Sequence, residues 1–555
     1  MYRSDLEKVH PALPGLAEGL ARGRVGRRDF LRTATLLGLS APVAYGVVGR
    51  ITGTGMLPAA HAQGQRGGVL RCSMNIKDCA DPAIYDWSEK GNIGRQVIEP
   101  LVMLGSDNIA RPWLAEGWEA SEDLKTWTFR LRRGVRWNNG DDFIADDVIA
   151  NFTRWLDPAT GSSNYGRFAS LRGPEDGDPM LDNAVEKIDD HTVRFNLRVP
   201  DLTLPENLTD YPALIVHRRF AEDGANFVEN PVGTGPFLLR EFAIGETAVY
   251  EKRDPAEYWG DEVFLDGIRY IDHGDDPAAS LAALASGQVD LLFRLFSIDQ
   301  VPAVEGLPAM RLYQTVTAQT GVARMKVTEP PFDNPALRRA IQACMDRPVL
   351  LELGNQGYGE PAEDHHVAPI HPEYAVLPPL EQDYERAGAL LAEAGYPDGL
   401  DLSIDCVAQP RWEPTTCQVI AEMLRPAGIN LAVNIMPGGT YWDRWLTAPF
   451  GFTSWAHRPL GVTVLNLAYR TGVPWNETSY ANPEFDRLLD QANGTLDVEA
   501  RREIVAELER TLQNDAIIVQ PFWRSVFTAG SDKVEGFQIH PAEEHHYYRT
   551  WLRQA

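Results

Sequence analysis

Apolar and polar positions change period several times along the chain, and each change predicts an element. Val69-Leu70-Arg71-Cys72-Ser73-Met74 reads as a short strand. Trp127-Thr128-Phe129-Arg130-Leu131-Arg132 and Thr192-Val193-Arg194-Phe195-Asn196-Leu197 alternate apolar with polar residues, the two-residue period of a half-buried strand. Asp146-Asp147-Val148-Ile149-Ala150-Asn151-Phe152 opens an amphipathic helix, with acids in the first turn where the helix dipole favours them. From Pro277 onward helical stretches alternate with strands: helices at 280–286, 334–354, 384–395 and 415–428, strands at 289–293, 400–406 and 430–435. Pro335 sits where a first helical position tolerates proline, and Gly287 where a C-cap needs glycine. Two longer helices, 482–493 and 498–514, precede an apolar strand at 517–519. Helices alternating with strands predict α/β layers. There is no internal repeat and no low-complexity linker.

The N-terminal region follows a different logic. Arg24-Val25-Gly26-Arg27-Arg28-Asp29-Phe30-Leu31-Arg32 precedes a mildly apolar stretch and then Ala60-His61-Ala62, small residues flanking a cut before Gln63. A basic region, an apolar region and an A-x-A site make a secretory signal. Paired arginines followed by Phe-Leu resemble a twin-arginine signal. An uncleaved membrane anchor is the competing reading, but Pro42, Gly46, Gly49 and Arg50 interrupt the apolar run. The remainder, 63–555, is too long for one hydrophobic core, so two or three domains are expected.

The chain carries 52 basic and 78 acidic residues, a net charge of −26, which disfavours nucleic acid and anionic membrane surfaces as partners. The five cysteines, Cys72, Cys79, Cys344, Cys406 and Cys417, show no C-x-x-C spacing. Cys72 with Cys79, or Cys406 with Cys417, remain open as bridges, and buried free thiols are the preferred reading. An exported hydrolase is the alternative of another class. It lacks support: there is no G-x-S-x-G elbow and no H-E-x-x-H, and paired acids such as Asp141-Asp142 are ordinary in so acidic a chain.

Several separated segments, in order, carry a resemblance. They are Ile98-Glu99-Pro100-Leu101-Val102, Pro112-Trp113-Leu114-Ala115-Glu116-Gly117-Trp118, the stretch from Phe129 to Gly140, Asp142-Phe143-Ile144-Ala145-Asp146-Asp147-Val148 and Pro231-Val232-Gly233-Thr234-Gly235-Pro236-Phe237. Further along come Tyr258-Trp259, Ala283-Leu284-Ala285-Ser286-Gly287-Gln288-Val289-Asp290, the stretch from Pro331 to Ile341, and Leu391 to Gly399. Together they resemble the dipeptide and oligopeptide class, family 5, of extracellular solute-binding proteins of ABC importers. Most of these segments read as structural. Gly233 and Gly235 are expected to adopt backbone angles that side chains forbid, and the tryptophans at 113, 118, 127 and 137 to be core.

The resemblance implies an α/β, bilobal periplasmic-binding-protein fold: two mixed α/β lobes, a hinge and an extra inserted subdomain. Its boundaries would be a signal at 1–62, lobe I at 63–95, 226–315 and 521–555, the insertion at 96–225, and lobe II at 316–520. It implies a peptide or small-molecule ligand in a cleft between lobes, an inner-membrane ABC permease and ATPase as partners, a monomer, no cofactor, no catalysis and a periplasmic location.

The resemblance also nominates site residues. Dipeptide-binding relatives place an arginine at the position of Arg411 to grip the ligand's carboxylate, and Trp412 beside it would wall a side-chain pocket. Those relatives carry an aspartate shortly after the tryptophan matched by Trp455, for the ligand's amino group. Here Arg458 stands in its place, preceded by His457. A cation there repels an ammonium, so a solute lacking a free amine or carrying an extra anionic group is expected, unless Asp443 or another acid serves. Asp364-His365-His366 and His371 offer a weaker alternative. The class includes proteins for metal complexes and haem, but the surrounding proline and glycine residues predict an exposed, solvated loop. His545-His546 is a weaker metal candidate still.

Overall fold

The computed structural model describes residues 64–175, 177–295 and 298–554, with 6, 12–22, 25, 30, 31, 33, 34, 37, 39, 44, 47, 48 and 51 from the N-terminal region. Arg27, Arg28 and Ala60-His61-Ala62, on which the export reading depends, lie outside the described residues. Among the described residues no helix is long and apolar enough to cross a membrane.

The chain forms two compact units. The first comprises 1–295, 301–313 and 527–555, the second 296–300 and 314–526. In the first unit Val69–Ser73 pairs in parallel with Gly267–Ile271, placing Val69 opposite Gly267, and with Leu291–Leu292. Gly267–Ile271 continues antiparallel to Thr247–Lys252, and that strand to Phe237–Ala243. Leu70, Cys72, Tyr250, Ile268 and Tyr270 form its core. A separate antiparallel sheet joins Ala115–Ala120, Thr126–Leu131, Thr192–Asn196 and Val185–Asp189. Its alternating strands bury Trp118, Trp127, Phe129 and Phe195 completely. Helix Ala145–Trp155 begins where Asp147 accepts the Ile144 backbone N–H at 2.9 Å, as its acidic first turn predicts.

Four of the family-like segments interlock here. The buried Glu99 carboxylate accepts from Trp113 Nε1 at 2.9 Å, Thr234 Oγ1 at 2.8 Å, Tyr258 Oη at 3.1 Å and Trp259 Nε1 at 2.9 Å. Gly233 and Gly235 flank Thr234, but the expected reason for them needs correction. Neither has positive φ. What demands glycine is close approach: a Cβ would stand 1.9 Å from the Val97 carbonyl oxygen at Gly233 and 2.8 Å from it at Gly235.

In the second unit Leu400–Val407 pairs in parallel with Ile429–Met436 on one side and Phe450–Trp455 on the other. Phe450–Trp455 is antiparallel to the second-unit part of Met310–Met325, with Thr320 opposite Trp455 and Gly321 opposite Ser454. Helices Pro335–Ala343, Arg347–Asn355, Tyr384–Glu393 and Trp412–Leu424 pack onto this sheet around Ile404, Cys406, Ile420, Phe452 and Phe522. Asn334 caps the first of these through the Ala336 N–H, with Pro335 following as anticipated. The late helices span Pro483–Asn493 and Val498–Asp515, and a strand follows at Ile518–Val519. All five cysteines are buried free thiols. Desolvation pushes Cys72, Cys79 and Cys344 up to about 12, so none is reactive at neutral pH.

Candidate functional site

The nominated ligand-binding residues, from Arg411 to Arg458, all belong to the second unit, and topology gathers them. Leu400–Val407 and Phe450–Trp455 run in the same direction as neighbours, so their carboxyl ends emerge together. One end leads through 408–411 into helix Trp412–Leu424, the other through 456–458. Ligands of α/β sheets characteristically lie outside the carboxyl ends of such strands.

Arg411 precedes the helix as its cap residue, and its side chain is exposed. Among the described residues its guanidinium makes no ion pair. Pro414 sits in the first turn, where a missing N–H costs nothing. Trp412 turns inward at 8% exposure, edge-on to Phe452 with ring centres 5.8 Å apart and tilted against Phe522 at 5.9 Å. The Arg524 guanidinium carbon stands 4.3 Å over the indole. Gly321 makes room: a Cβ there would come within 2.9 Å of the Trp412 ring and 2.4 Å of Phe452.

Trp455 is buried, donating from Nε1 to Glu477 Oε1 at 2.9 Å. It packs edge-on against His366, with ring centres 5.4 Å apart, and against Trp475 at 6.0 Å. His457 is buried too, and its Nδ1 accepts the Ala318 N–H at 3.1 Å. That bond ties the ring to the backbone of the neighbouring strand. Arg458 is half-buried and donates to the His457 carbonyl at 3.0 Å. Asp443, the alternative acid, is exposed on helix Gly438–Arg444.

The histidine loop corrects the sequence reading. His365, His366 and His371 are buried, not solvated. His365 Nδ1 accepts from the Val367 N–H at 3.3 Å, and His366 Nδ1 bonds the Tyr469 hydroxyl at 2.9 Å. His371 Nδ1 accepts from the Ala368 N–H at 2.9 Å, which leaves the proton on Nε2 to donate to the Arg458 carbonyl at 3.0 Å. Burial pushes His365 and His366 down to about 3, so both stay neutral. The loop braces the segment bearing Arg458.

Among the described residues the group of metal-type donors within 4.8 Å of one another is His540, Glu544 and His546. Its members are already partnered, His546 Nε2 with Glu544 at 2.7 Å. His540 Nδ1 accepts from the Ala542 N–H, its Nε2 donates to the Leu104 carbonyl, and Arg95 pairs with Glu544 at 2.9 Å. An ion would have to displace a buried cation.

Two acids at this end of the sheet were not legible beforehand. Glu477 accepts from Arg324 Nε at 3.0 Å, Thr453 Oγ1 at 2.6 Å, Trp455 and Trp445. Its partners lie far away in sequence, so no local pattern marks it. Glu413 follows Arg411 and Trp412 directly, and an acid beside a nominated cation was the available signal.

This is the two-lobe α/β fold of periplasmic binding proteins. The periplasmic binding protein DppA from Helicobacter pylori, solved with the peptide STSA, matches with a TM-score of 0.74 at 22% identity, over 88% of this chain and 99% of that one. More narrowly, residues 110–470 match the family of bacterial extracellular solute-binding proteins, family 5, middle region, and the chain belongs to that family. Similar curated proteins include heme-binding protein A of Haemophilus influenzae, 28% identical over 481 residues, 80% of this chain and 85% of that protein. The periplasmic oligopeptide-binding protein OppA of the same organism is 25% identical over 498 residues, 85% of this chain and 90% of that protein.

Proposed function

We propose that this chain is the solute-capturing component of an ABC importer. In this reading it is exported to the periplasm by the twin-arginine-type signal at 1–62 and works as a monomer without cofactor or catalysis. It hands a peptide-like solute to an inner-membrane permease and ATPase. The observation that carries the ligand class is Arg411: an exposed guanidinium, without an ion pair among the described residues, at the carboxyl end of the sheet. A solute carboxylate answers it with two parallel hydrogen bonds. Arg458 supplies a second cation where an amine-binding acid would stand, so the solute lacks a free amine or carries an extra anionic group. Trp412, Trp455 and His457 shape the surroundings.

The oligopeptide-binding relative supports this reading. The haem-binding relative raises a second, which the histidines disfavour: His365, His366, His371 and His457 are all buried and already bonded through ring nitrogens. Native mass spectrometry of protein purified from its own periplasm tests both. A retained acidic, peptide-like mass is expected, and a retained tetrapyrrole or metal complex refutes the proposal. N-terminal sequencing of the same sample should begin near Gln63.

A further inference from the structure

The first turn of helix Trp412–Leu424 buries polar atoms that the fold leaves unanswered. Trp412 is 8% exposed and Glu413 only 1%. Trp412 Nε1 and both carboxyl oxygens of Glu413 are shut off from solvent, and none has a hydrogen-bond partner. Each such group costs about 1–3 kcal/mol, and native interiors keep few of them. The contrast with the neighbouring indoles is direct, since Trp445 and Trp455 both donate to Glu477. Here an unfilled donor and an unfilled carboxyl sit side by side without satisfying each other.

The groups around them are donors. Arg524 lies over the Trp412 ring and reaches Gln319 Oε1 at 3.4 Å. Ser454 stands opposite Gly321, the glycine that lets Trp412 lie close to the sheet. Burial pushes the Glu413 carboxyl up to about 8, with Ser454 and Arg524 pulling the other way. At neutral pH it therefore keeps its proton and offers an O–H. The other titratable groups near it are Tyr441, on helix Gly438–Arg444, and Cys417, one turn along its own helix. Burial pushes both upward, so both stay protonated at neutral pH.

We propose that Trp412, Glu413 and Arg524 form a ligand subsite, additional to the Arg411 grip, that takes a second carboxylate of the solute. The indole N–H, the carboxylic O–H and the guanidinium all point to an acceptor-only group, and a carboxylate is the acceptor that gains most from a cation and two neutral donors. This subsite rests on the reading that the chain binds a peptide-like solute.

The test is isothermal titration of the full chain, freed of retained solute, with acetyl-alanyl-glutamate and acetyl-alanyl-alanine. The dicarboxylate is expected to bind about tenfold more tightly at neutral pH, the advantage of one charge-assisted contact. That advantage should shrink by up to about tenfold per pH unit once Glu413 ionises. Glu413→Gln, which cannot ionise and still donates, should flatten the pH profile and weaken binding less than Glu413→Leu. Trp412→Phe should weaken the dicarboxylate more than the monocarboxylate. Equal affinity for both probes with a flat pH profile, while Arg411→Ala still weakens both, overturns the subsite and leaves the wider reading standing. Failure of both probes to bind overturns the subsite together with that reading.

Discussion

Nε1 of Trp455 donates to Oε1 of Glu477 at 2.9 Å, while Arg324 Nε holds the other oxygen of that carboxylate at 3.0 Å. An indole at the carboxyl end of the sheet is thus fixed by a buried ion pair whose partners are 0% and 3% exposed. Removing one partner of such a pair strands a charge in the interior. Glu477→Ala is expected to lower unfolding stability by about 3–5 kcal/mol, measured by urea denaturation. A loss below about 1 kcal/mol would show that Arg324 finds water.

Arg411 predicts the opposite separation of stability from binding. Its side chain is exposed, so Arg411→Ala should leave the melting temperature within about 2 °C of the parent, since surface substitutions stay within about 0.5 kcal/mol. Affinity for a carboxylate-bearing peptide should fall about 10- to 100-fold, the worth of a charged hydrogen-bonded contact. Titration calorimetry and thermal unfolding on the same preparation check both halves.

Stability should peak on the mildly acidic side. Burial holds Glu413 up to about 8 and Glu509 up to about 9, whereas unfolded glutamates titrate at about 4.3. The folded chain therefore keeps protons that the unfolded chain releases, and these groups lose stability as pH rises from about 4.3 through about 9. His365, His366 and His545 are held down to about 3 and His540 to about 4, against about 6.5 unfolded. They lose stability as pH falls through that window. Melting temperature across pH should form a dome, and Glu509→Gln should raise and flatten its alkaline side. An unchanged alkaline slope in that variant would mean Glu509 is ionised in the folded chain.

Gly233 tests the first unit. A Cβ 1.9 Å from the Val97 carbonyl oxygen cannot be accommodated without moving backbone. Gly233→Ala should cost about 1–3 kcal/mol, as overpacking does. Gly224, with φ of +105° and nothing within 4 Å, provides the control for backbone strain without a clash.

Patterns that depend on near neighbours were readable in the sequence. The period-two strands around Trp127 and Phe195, the acidic start at Asp146-Asp147 and the proline after Asn334 each encode their own element. The regular alternation from Pro277 onward carried the α/β class, and the ordered segments carried the family. Gly233 was recognised as special for the wrong reason, because sequence reveals a glycine but not the carbonyl facing it. The histidine loop was misread because proline and glycine report turn tendency and not burial. Glu477 stayed hidden for a related reason: its partners Arg324 and Thr453 meet it only through the sheet. Glu413 had its clue in Arg411-Trp412-Glu413, but its burial depends on how Gly321 admits the indole.

The five buried thiols have a practical corollary. Cys72 and Cys79 lie in the first unit, and Cys344, Cys406 and Cys417 in the second. An alkylating reagent added to the native protein gains access only when one of these cores opens. Opening of the first unit alone adds two labels and opening of the second alone adds three. Counting adducts by mass during slow denaturation therefore reads the order in which the units come apart, with no introduced probe.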